Sequence, residues 1–273
     1  MSDHELTCSA CPSACDGVGF DEALARLEPI SLEEVVESAD LQVRKDVKYV
    51  IRPDELAGIL DRLTEVETPR VLEIDGRRLF RYESVYFDSP ELTNYFDVAH
   101  RRPRRTKVRV RTYVDSGSCM LEVKQRDNRG HTVKHRLPYD RHHARELTRE
   151  GAGFVAATGT EYGERLQPSL TSSYRRATLL FSQSEVRVTI DVGLVWRDSS
   201  GRSLAVPGLV LLETKSLVHP SAVDRVLWGT GHRPSTISKY GTGLAALRPT
   251  LPSNKWHRVL TTVIDRSNAT AVA

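Results

Sequence analysis

Lys107-Val108-Arg109-Val110-Arg111 alternates basic and apolar side chains over residues 107–111. Successive side chains of a β-strand point to opposite faces, so this alternation predicts a strand with one basic face and one apolar face. The segment ends a longer basic run, RRPRRTKVRVR, which holds seven basic side chains and no acidic one over residues 101–111. A strand with a strongly basic face is therefore the starting point for the fold.

The same alternation appears in six further segments of the chain. Their charged or polar members are Arg44, Asp46 and Lys48; Glu122, Lys124 and Arg126; Lys134 and Arg136; Arg176; Arg187, Thr189 and Asp191; and Glu213 and Lys215. With residues 107–111, these positions hold twelve basic and four acidic side chains, a local charge of +8. The whole chain carries only +3, so all other residues sum to −5. Positive charge is concentrated on one face of one sheet.

Two structures are compatible with such a face. The first is an antiparallel sheet whose outer face is solvated, the commonest cause of apolar and polar alternation. Solvated faces usually avoid like charges on neighbouring strands, however, because these destabilise a sheet. The second is a set of strands that curl into a barrel with a charged interior and helices outside. Inward-facing cations would repel one another unless an anion lay among them. The pattern alone leaves both structures open.

Composition divides the chain into three regions. We expect a partly helical, acidic leader over 1–40, a main domain over 41–265 and a flexible, polar tail over 266–273. The main domain has strand patterns at 43–51, 80–87, 106–114, 119–126, 131–137, 174–181, 185–192 and 208–216. Helical patterns fall at 53–66, 89–96, 140–166, 220–229, 235–247 and 255–264, and the helix at 53–66 should bury Leu56, Ile59, Leu60, Leu63 and Val66. About eight antiparallel strands with surrounding helices predict an α+β fold.

The N-terminal region contains a cysteine cluster, Cys8, Cys11 and Cys15, with His4 just ahead of it. Thiolate and imidazole ligands at this spacing can hold zinc or an iron–sulfur cluster, although no second ligand pair follows. A metal site and a mobile leader both remain open for this region. No stretch approaches the roughly 18 apolar residues that span a bilayer, and the first residues do not form a secretory signal. We therefore expect a cytoplasmic protein.

Nine short motifs, in order and on the expected strands, resemble one known family. They are Lys48-Tyr49, Tyr86-Phe87-Asp88, Lys107-Val-Arg109-Val-Arg111, Leu121-Glu122-Val-Lys124, Val133-Lys134, Tyr174-Arg-Arg176, Val186-Arg187-Val-Thr-Ile-Asp191, Leu212-Glu213-Thr-Lys215 and Ser238-Lys239-Tyr240. Over roughly residues 41–247 the chain resembles the VTC domain, the catalytic domain of ATP-dependent polyphosphate polymerases. That domain belongs to the triphosphate tunnel metalloenzyme, or CYTH-like, superfamily.

The resemblance implies a fold and a set of site residues. The fold is an antiparallel, eight-stranded barrel forming a tunnel with a basic interior. The implied phosphate-binding residues are Lys48, Arg109, Arg111, Lys124, Lys134, Arg176, Arg187 and Lys239, and the implied catalytic residues are Lys48, Arg109, Arg111, Lys124 and Tyr174. Glu213 is the implied ligand of the divalent metal, Mn²⁺ or Mg²⁺. Glu122 stays open between a metal contact and a structural ion pair with Lys124.

Two departures from the family pattern bear on function. The tunnel phosphatase branch opens with E-x-E-x-K, whereas this chain has Arg44, Asp46 and Lys48 at those positions, with a single acid. This difference disfavours simple triphosphate hydrolysis, which needs a site for an activated water. The chain also lacks the phosphate-sensing domain and membrane helices of eukaryotic relatives, so we expect a stand-alone version.

The resulting prediction is an enzyme that transfers the γ-phosphate of ATP to a growing inorganic polyphosphate chain. A tunnel triphosphatase and a non-catalytic polyphosphate-binding module are the alternatives. Nucleic-acid binding by residues 101–111 is disfavoured, because Tyr113 is the only nearby aromatic side chain that could stack on a base. The arginines from Arg101 to Arg105 are instead expected to attract ATP or polyphosphate to the tunnel mouth.

Overall fold

The computed structural model describes residues 19–37, 45–129, 131–160, 165–264 and 270–271. Its strands are β1 (Glu28–Ile30), β2 (Lys45–Ile51), β3 (Arg70–Leu72), β4 (Phe80–Asp88), β5 (Arg105–Tyr113), β6 (Cys119–Arg126), β7 (Thr132–Pro138), β8 (Gln167–Phe181), β9 (Val186–Asp198), β10 (Ser203–Val206), β11 (Val210–Ser216) and β12 (Thr270–Ala271). Arg44 and the cysteines Cys8, Cys11 and Cys15 lie outside the described residues, so the predictions about them stay predictions.

Eight of these strands form one curled antiparallel sheet, in the order β2-β11-β9-β8-β4-β5-β6-β7. The α+β fold with eight antiparallel strands is therefore confirmed. The curl brings Asp46 of β2 within 3.9 Å of Lys124 of β6, although the two strands lie near opposite edges of the sheet. Among the described residues no ladder joins β7 to β2, so the tunnel is a half-barrel rather than a closed barrel.

The helices are α1 (Phe20–Ala25), α2 (Leu32–Glu37), α3 (Leu56–Val66), α4 (Thr93–Ala99), α5 (Arg149–Ala157), α6 (Ala222–Gly229), α7 (Lys239–Leu247) and α8 (His257–Val259). Three-residue 3-10 turns lie at Pro53–Glu55, Arg141–His143 and Asn254–Trp256, and a π-helical turn, Leu260–Ile264, follows α8. Within the described part of the chain, no helix has the length and apolar character needed to cross a membrane.

Apolar side chains on the outer, convex face of the sheet form the main core. Leu56, Leu60 and Leu63 of α3 pack there against Ile190 of β9 and Leu212 of β11. A second part of this outer core joins β5 and β6 to α5. One expected core residue is different: Val66 is 60% exposed, because it is the last residue of α3 and the chain turns away after it.

The N-terminal segment shares this core. Phe20 and Leu24 of α1 are buried in the same cluster as α3, and β1 pairs in parallel with β3. The division of the chain at residue 40 stays a prediction about domains, but residues 20–30 pack on the same sheet as the rest of the chain.

Helix α7 makes two close approaches through glycines, one to Trp256 of the 3-10 turn Asn254–Trp256 and one to Trp196 of β9. A Cβ atom on Gly241 would lie 2.2 Å from the ring of Trp256, and one on Gly243 would lie 2.6 Å from the ring of Trp196. The Ser238 hydroxyl caps this helix by accepting a hydrogen bond from the Gly241 amide at 3.3 Å. The helix therefore begins at Lys239, later than the pattern at 235–247 indicated, and this packing fixes where Lys239 lies.

We predict that Gly243→Ala lowers the free energy of unfolding by about 1–3 kcal/mol, because the new methyl group overlaps the Trp196 ring. Gly58→Ala in α3 is the matched control: nothing lies within 4 Å of its added Cβ. That substitution should stabilise the protein by about 0.5–1 kcal/mol, because alanine restricts the unfolded chain. Urea unfolding of both variants checks the prediction, and equal midpoints would contradict it.

Candidate functional site

Strand β5 shows which face of the sheet carries the charge. Val108 and Val110 are buried in the outer core with Val123 of β6. Arg109 and Arg111 alternate with them and therefore point to the inner, concave face. Of the two structures compatible with the sequence, the chain thus adopts the curled sheet with a charged interior. The basic face of β5 lines the tunnel.

Glu122 of β6 is the central carboxylate of one side of the tunnel. It is 2% exposed and lies 2.5 Å from Nη2 of Arg109, and it also contacts Lys134 and Arg136 of β7. Burial raises the pKa of Glu122, but the positive charges of Arg109 and its neighbours lower it well below its ordinary value. Its partners are on β5 and β7 and do not include Lys124, which shares its strand. The structure therefore makes Glu122 a cross-strand ion-pair residue.

Asp191 of β9 has the same role on the other side of the tunnel. Arg176 of β8 binds it with two hydrogen bonds, of 2.5 and 2.8 Å, and Lys239 of α7 contacts its second oxygen. Burial raises the pKa of Asp191, but the charges of Arg176 and Lys239 outweigh burial and lower it. Arg187 lies four residues earlier on the same face of β9, in register with Lys215. Asp191 thus joins α7 to the tunnel wall.

Tyr174 lies between these two carboxylates. Its hydroxyl accepts a hydrogen bond of 3.0 Å from Nη2 of Arg111, and Lys239 Nζ lies 4.3 Å from the centre of its ring. Arg111 also donates to the Ser84 hydroxyl at 3.3 Å. Burial raises the pKa of Tyr174, but the charges of Arg111 and Arg176 lower it below its ordinary value. The hydroxyl can therefore donate a hydrogen bond to an anion in the tunnel.

The remaining predicted site residues meet where β2 pairs with β11. Lys48 lies 3.2 Å from Glu213, and the Lys215 ammonium lies between two carboxylates, 2.6 Å from Glu213 and 3.3 Å from Asp46. Lys124 reaches Asp46 from β6 at 3.9 Å. All of the sequence-predicted residues with roles in binding or catalysis thus lie on one inner surface, and their individual roles stay predictions.

The pair Glu213 and Asp46 fits a divalent cation. Carboxylate oxygens are the hard ligands that Mg²⁺ and Mn²⁺ prefer, and a positive group, the Lys215 ammonium, already lies between them. No group of three His, Cys, Asp or Glu side chains that could hold a metal occurs among the described residues. Phosphate oxygens and water would therefore have to complete the coordination of such an ion.

Lys107 belongs to this surface but was not among the predicted phosphate ligands. Its pKa is lowered to about 7 by burial and by the positive charges of Arg109, Lys124, Lys48 and Lys239. Its contacts are neutral: the Ser238 hydroxyl at 3.4 Å and the Tyr86 ring, centred 6.0 Å away. No salt bridge joins it to a carboxylate within the described part of the chain. An added anion would therefore stabilise the charged form of Lys107 more than it stabilises the neighbouring cations, which already have carboxylate partners.

The fold and this surface define a tunnel protein whose cationic interior suits a linear polyanion. A family model described as the VTC domain matches residues 43–248, so the chain belongs to that family. Among curated protein sequences no significant match is found.

Solved structures that are similar to the chain share little sequence with it. A putative adenylate cyclase from Bacillus halodurans is 11% identical over 72% of this chain and 94% of its own, with a TM-score of 0.48. A putative adenylyl cyclase from Hippeastrum with a dominant triphosphatase activity is 14% identical over 73% and 94%, with a TM-score of 0.44. A putative adenylate cyclase from Vibrio parahaemolyticus is 12% identical over 75% and 98%, with a TM-score of 0.43.

We predict that binding of tripolyphosphate is coupled to protonation of Lys107. A bound anion favours the ammonium form and raises the pKa of Lys107 from about 7. Near pH 8, on the order of one proton should be taken up on binding, and affinity should fall as the pH rises further. Calorimetry in two buffers with different ionisation enthalpies measures the proton uptake.

The matched variant is Lys107→Arg, which keeps its charge at all of these pH values. It should bind tripolyphosphate with less proton uptake than the wild type, whereas Lys45→Arg, at an exposed position at the start of β2, should change nothing. Identical proton uptake by the wild type and Lys107→Arg would show that Lys107 does not titrate on binding.

Proposed function

We propose that the protein is an ATP-dependent polyphosphate polymerase. A terminal phosphate oxygen of polyphosphate attacks the γ-phosphorus of ATP and forms a new P–O bond. The bond between that phosphorus and the β,γ-bridging oxygen breaks, and ADP leaves with the electron pair. Membership of the VTC domain family and the cationic tunnel support a substrate made of linked phosphates.

One observation favours transfer over hydrolysis. Each carboxylate on the described tunnel surface is held by a lysine or an arginine: Asp46, Glu122, Asp191 and Glu213. The pKa values of Glu122, Asp191 and Glu213 are lowered by these partners, which makes the three carboxylates weak bases for activating a water. A polyphosphate acceptor needs no such base, because its terminal oxygen is already ionised.

The basic residues supply what phosphoryl transfer requires, which is positioning and stabilisation of negative charge. Arg109 and Arg111 present planar guanidinium groups that can each bind two phosphate oxygens. Lys48, Lys107 and Lys124 add point charges along the same surface. Charges already in place cost no reorganisation during the reaction, so they stabilise the transition state more effectively than water does.

Glu213, with Asp46 beside it, is the proposed holder of Mn²⁺ or Mg²⁺. A bound divalent ion would neutralise phosphate charge and orient the transferred group. When phosphate enters, Lys215 is the side chain placed to move from the carboxylates to the phosphate oxygens, because it already lies between Glu213 and Asp46. Lys48 also forms a salt bridge with Glu213 and can likewise move to the phosphate oxygens.

Incubation of the purified protein with ATP, short polyphosphate and Mn²⁺ tests the function directly. We expect polyphosphate to lengthen and ADP to form in equal amounts with the phosphate transferred. Free phosphate without polymer would instead make the protein a tunnel triphosphatase. If neither product forms while polyphosphate binds, a binding module becomes the correct description.

The Glu213→Gln variant tests the metal site. Because the amide is uncharged, we expect Mn²⁺ affinity and metal-dependent turnover each to fall by about tenfold or more. Electron paramagnetic resonance of free and bound Mn²⁺ gives the affinity independently of activity. Glu65→Gln, on the exposed face of α3, is the control. Unchanged Mn²⁺ binding in Glu213→Gln would reject the assignment of the metal site to Glu213.

A further inference from the structure

A cavity of about 380 Å³ lies at one end of the tunnel, beyond the proposed active-site residues. Its walls come from residues 231–236 and from the helical segment 255–263, and Val50 of β2 lines its inner side. Val50 shares the inner face of β2 with Lys48, two residues or about 7 Å away along the strand. The Ser235 amide also donates to the Lys48 carbonyl at 2.7 Å. The cavity therefore adjoins the inner face of β2, next to Lys48.

The lining of this cavity is basic. Arg233, Lys255 and Arg258 contribute to it, and none of its lining residues is acidic. Lys255 Nζ donates to the Val98 carbonyl at 2.8 Å, and Arg233 Nη1 donates to the Trp228 carbonyl at 2.7 Å. Backbone carbonyls satisfy hydrogen bonds without cancelling charge, so the cavity keeps a positive potential.

Lys255 connects the cavity to the basic row on β5. Its pKa is lowered to about 8 by burial and by the positive charges of Arg105, Arg101 and Arg126. Arg105 lies two residues before Lys107 on β5 and is in register with Arg126 of β6. Positive charge thus continues from the centre of the tunnel through Arg105 to Lys255. An anion that followed this path would relieve the repulsion at each step.

We propose that this cavity is a tunnel-end subsite for the phosphates of a polyphosphate chain too long for the tunnel alone. The inference rests on the proposed polymerase function and adds a place where the chain is held away from the reacting phosphates. Arg233 and Arg258 supply charged donors for phosphate oxygens. Ser235 and Thr236 line the same cavity and supply hydroxyl donors.

Polyphosphates of different length distinguish this subsite from the active site. The wild type should bind long-chain polyphosphate more tightly per chain than tripolyphosphate, which the central cations can hold alone. In the double variant Arg233→Ala, Arg258→Ala, affinity for long-chain polyphosphate should fall by at least about tenfold. Affinity for tripolyphosphate should stay within about twofold of the wild type. Isothermal titration calorimetry with both ligands measures these changes.

A second double variant, Arg62→Ala with Arg225→Ala, removes the same charge from exposed positions on α3 and α6 and should leave both affinities unchanged. The subsite is overturned if the cavity variant keeps its long-chain affinity, or if the control variant loses as much. It is also overturned if the wild type binds both ligands equally. Failure of the wild type to bind tripolyphosphate at all would instead overturn the proposed function.

Discussion

Repulsion among the cations of the tunnel is the constraint that the rest of the structure must offset. Glu122 holds Arg109 of β5 and Lys134 of β7, so it joins three neighbouring strands. Asp191 holds Arg176 of β8 and Lys239 of α7, so it joins two strands to a helix. Buried ion pairs gain little net stability, because desolvation offsets their attraction. Their main effect here is to place each cation at a defined point on the surface.

Apolar packing supplies the stability that these ion pairs do not, both on the outer face of the sheet and around α7 at the tunnel end. On β2, β5, β6, β9 and β11 apolar side chains alternate with the charged ones, and α1, α3, α5 and α6 cover them on the convex side. Helix α7 differs, because it packs against the tunnel end and carries a cation of the site. The close contacts of Gly241 and Gly243 with two tryptophans allow that approach. The position of Lys239 therefore depends on glycines that pack against tryptophan rings.

Much of the fold and of the candidate site could be predicted from sequence, because the period of two on a strand determines which face each side chain takes. This period predicts that Arg109, Glu122 and Asp191 lie on a common face. The ion-pair partners are harder to predict, because they depend on strand register. Glu122 pairs with residues of β5 and β7, and not with Lys124. Residues 231–236 and 255–263 have no strand alternation, so the cavity they form with Val50 had no sequence signal. That Lys107 makes no salt bridge within the described residues likewise follows only from where their carboxylates lie.

The even spacing of Arg105, Lys107, Arg109 and Arg111 along β5 has a mechanical consequence. Alternate residues of a strand repeat at about 7 Å, so these side chains form a regular row. A polyanion shifted by one repeat of such a row meets a basic side chain again at each position. Sliding would then need only side-chain rearrangement on a rigid sheet, with no hinge and no domain movement. The polyanion could therefore move along the tunnel wall over low energy barriers.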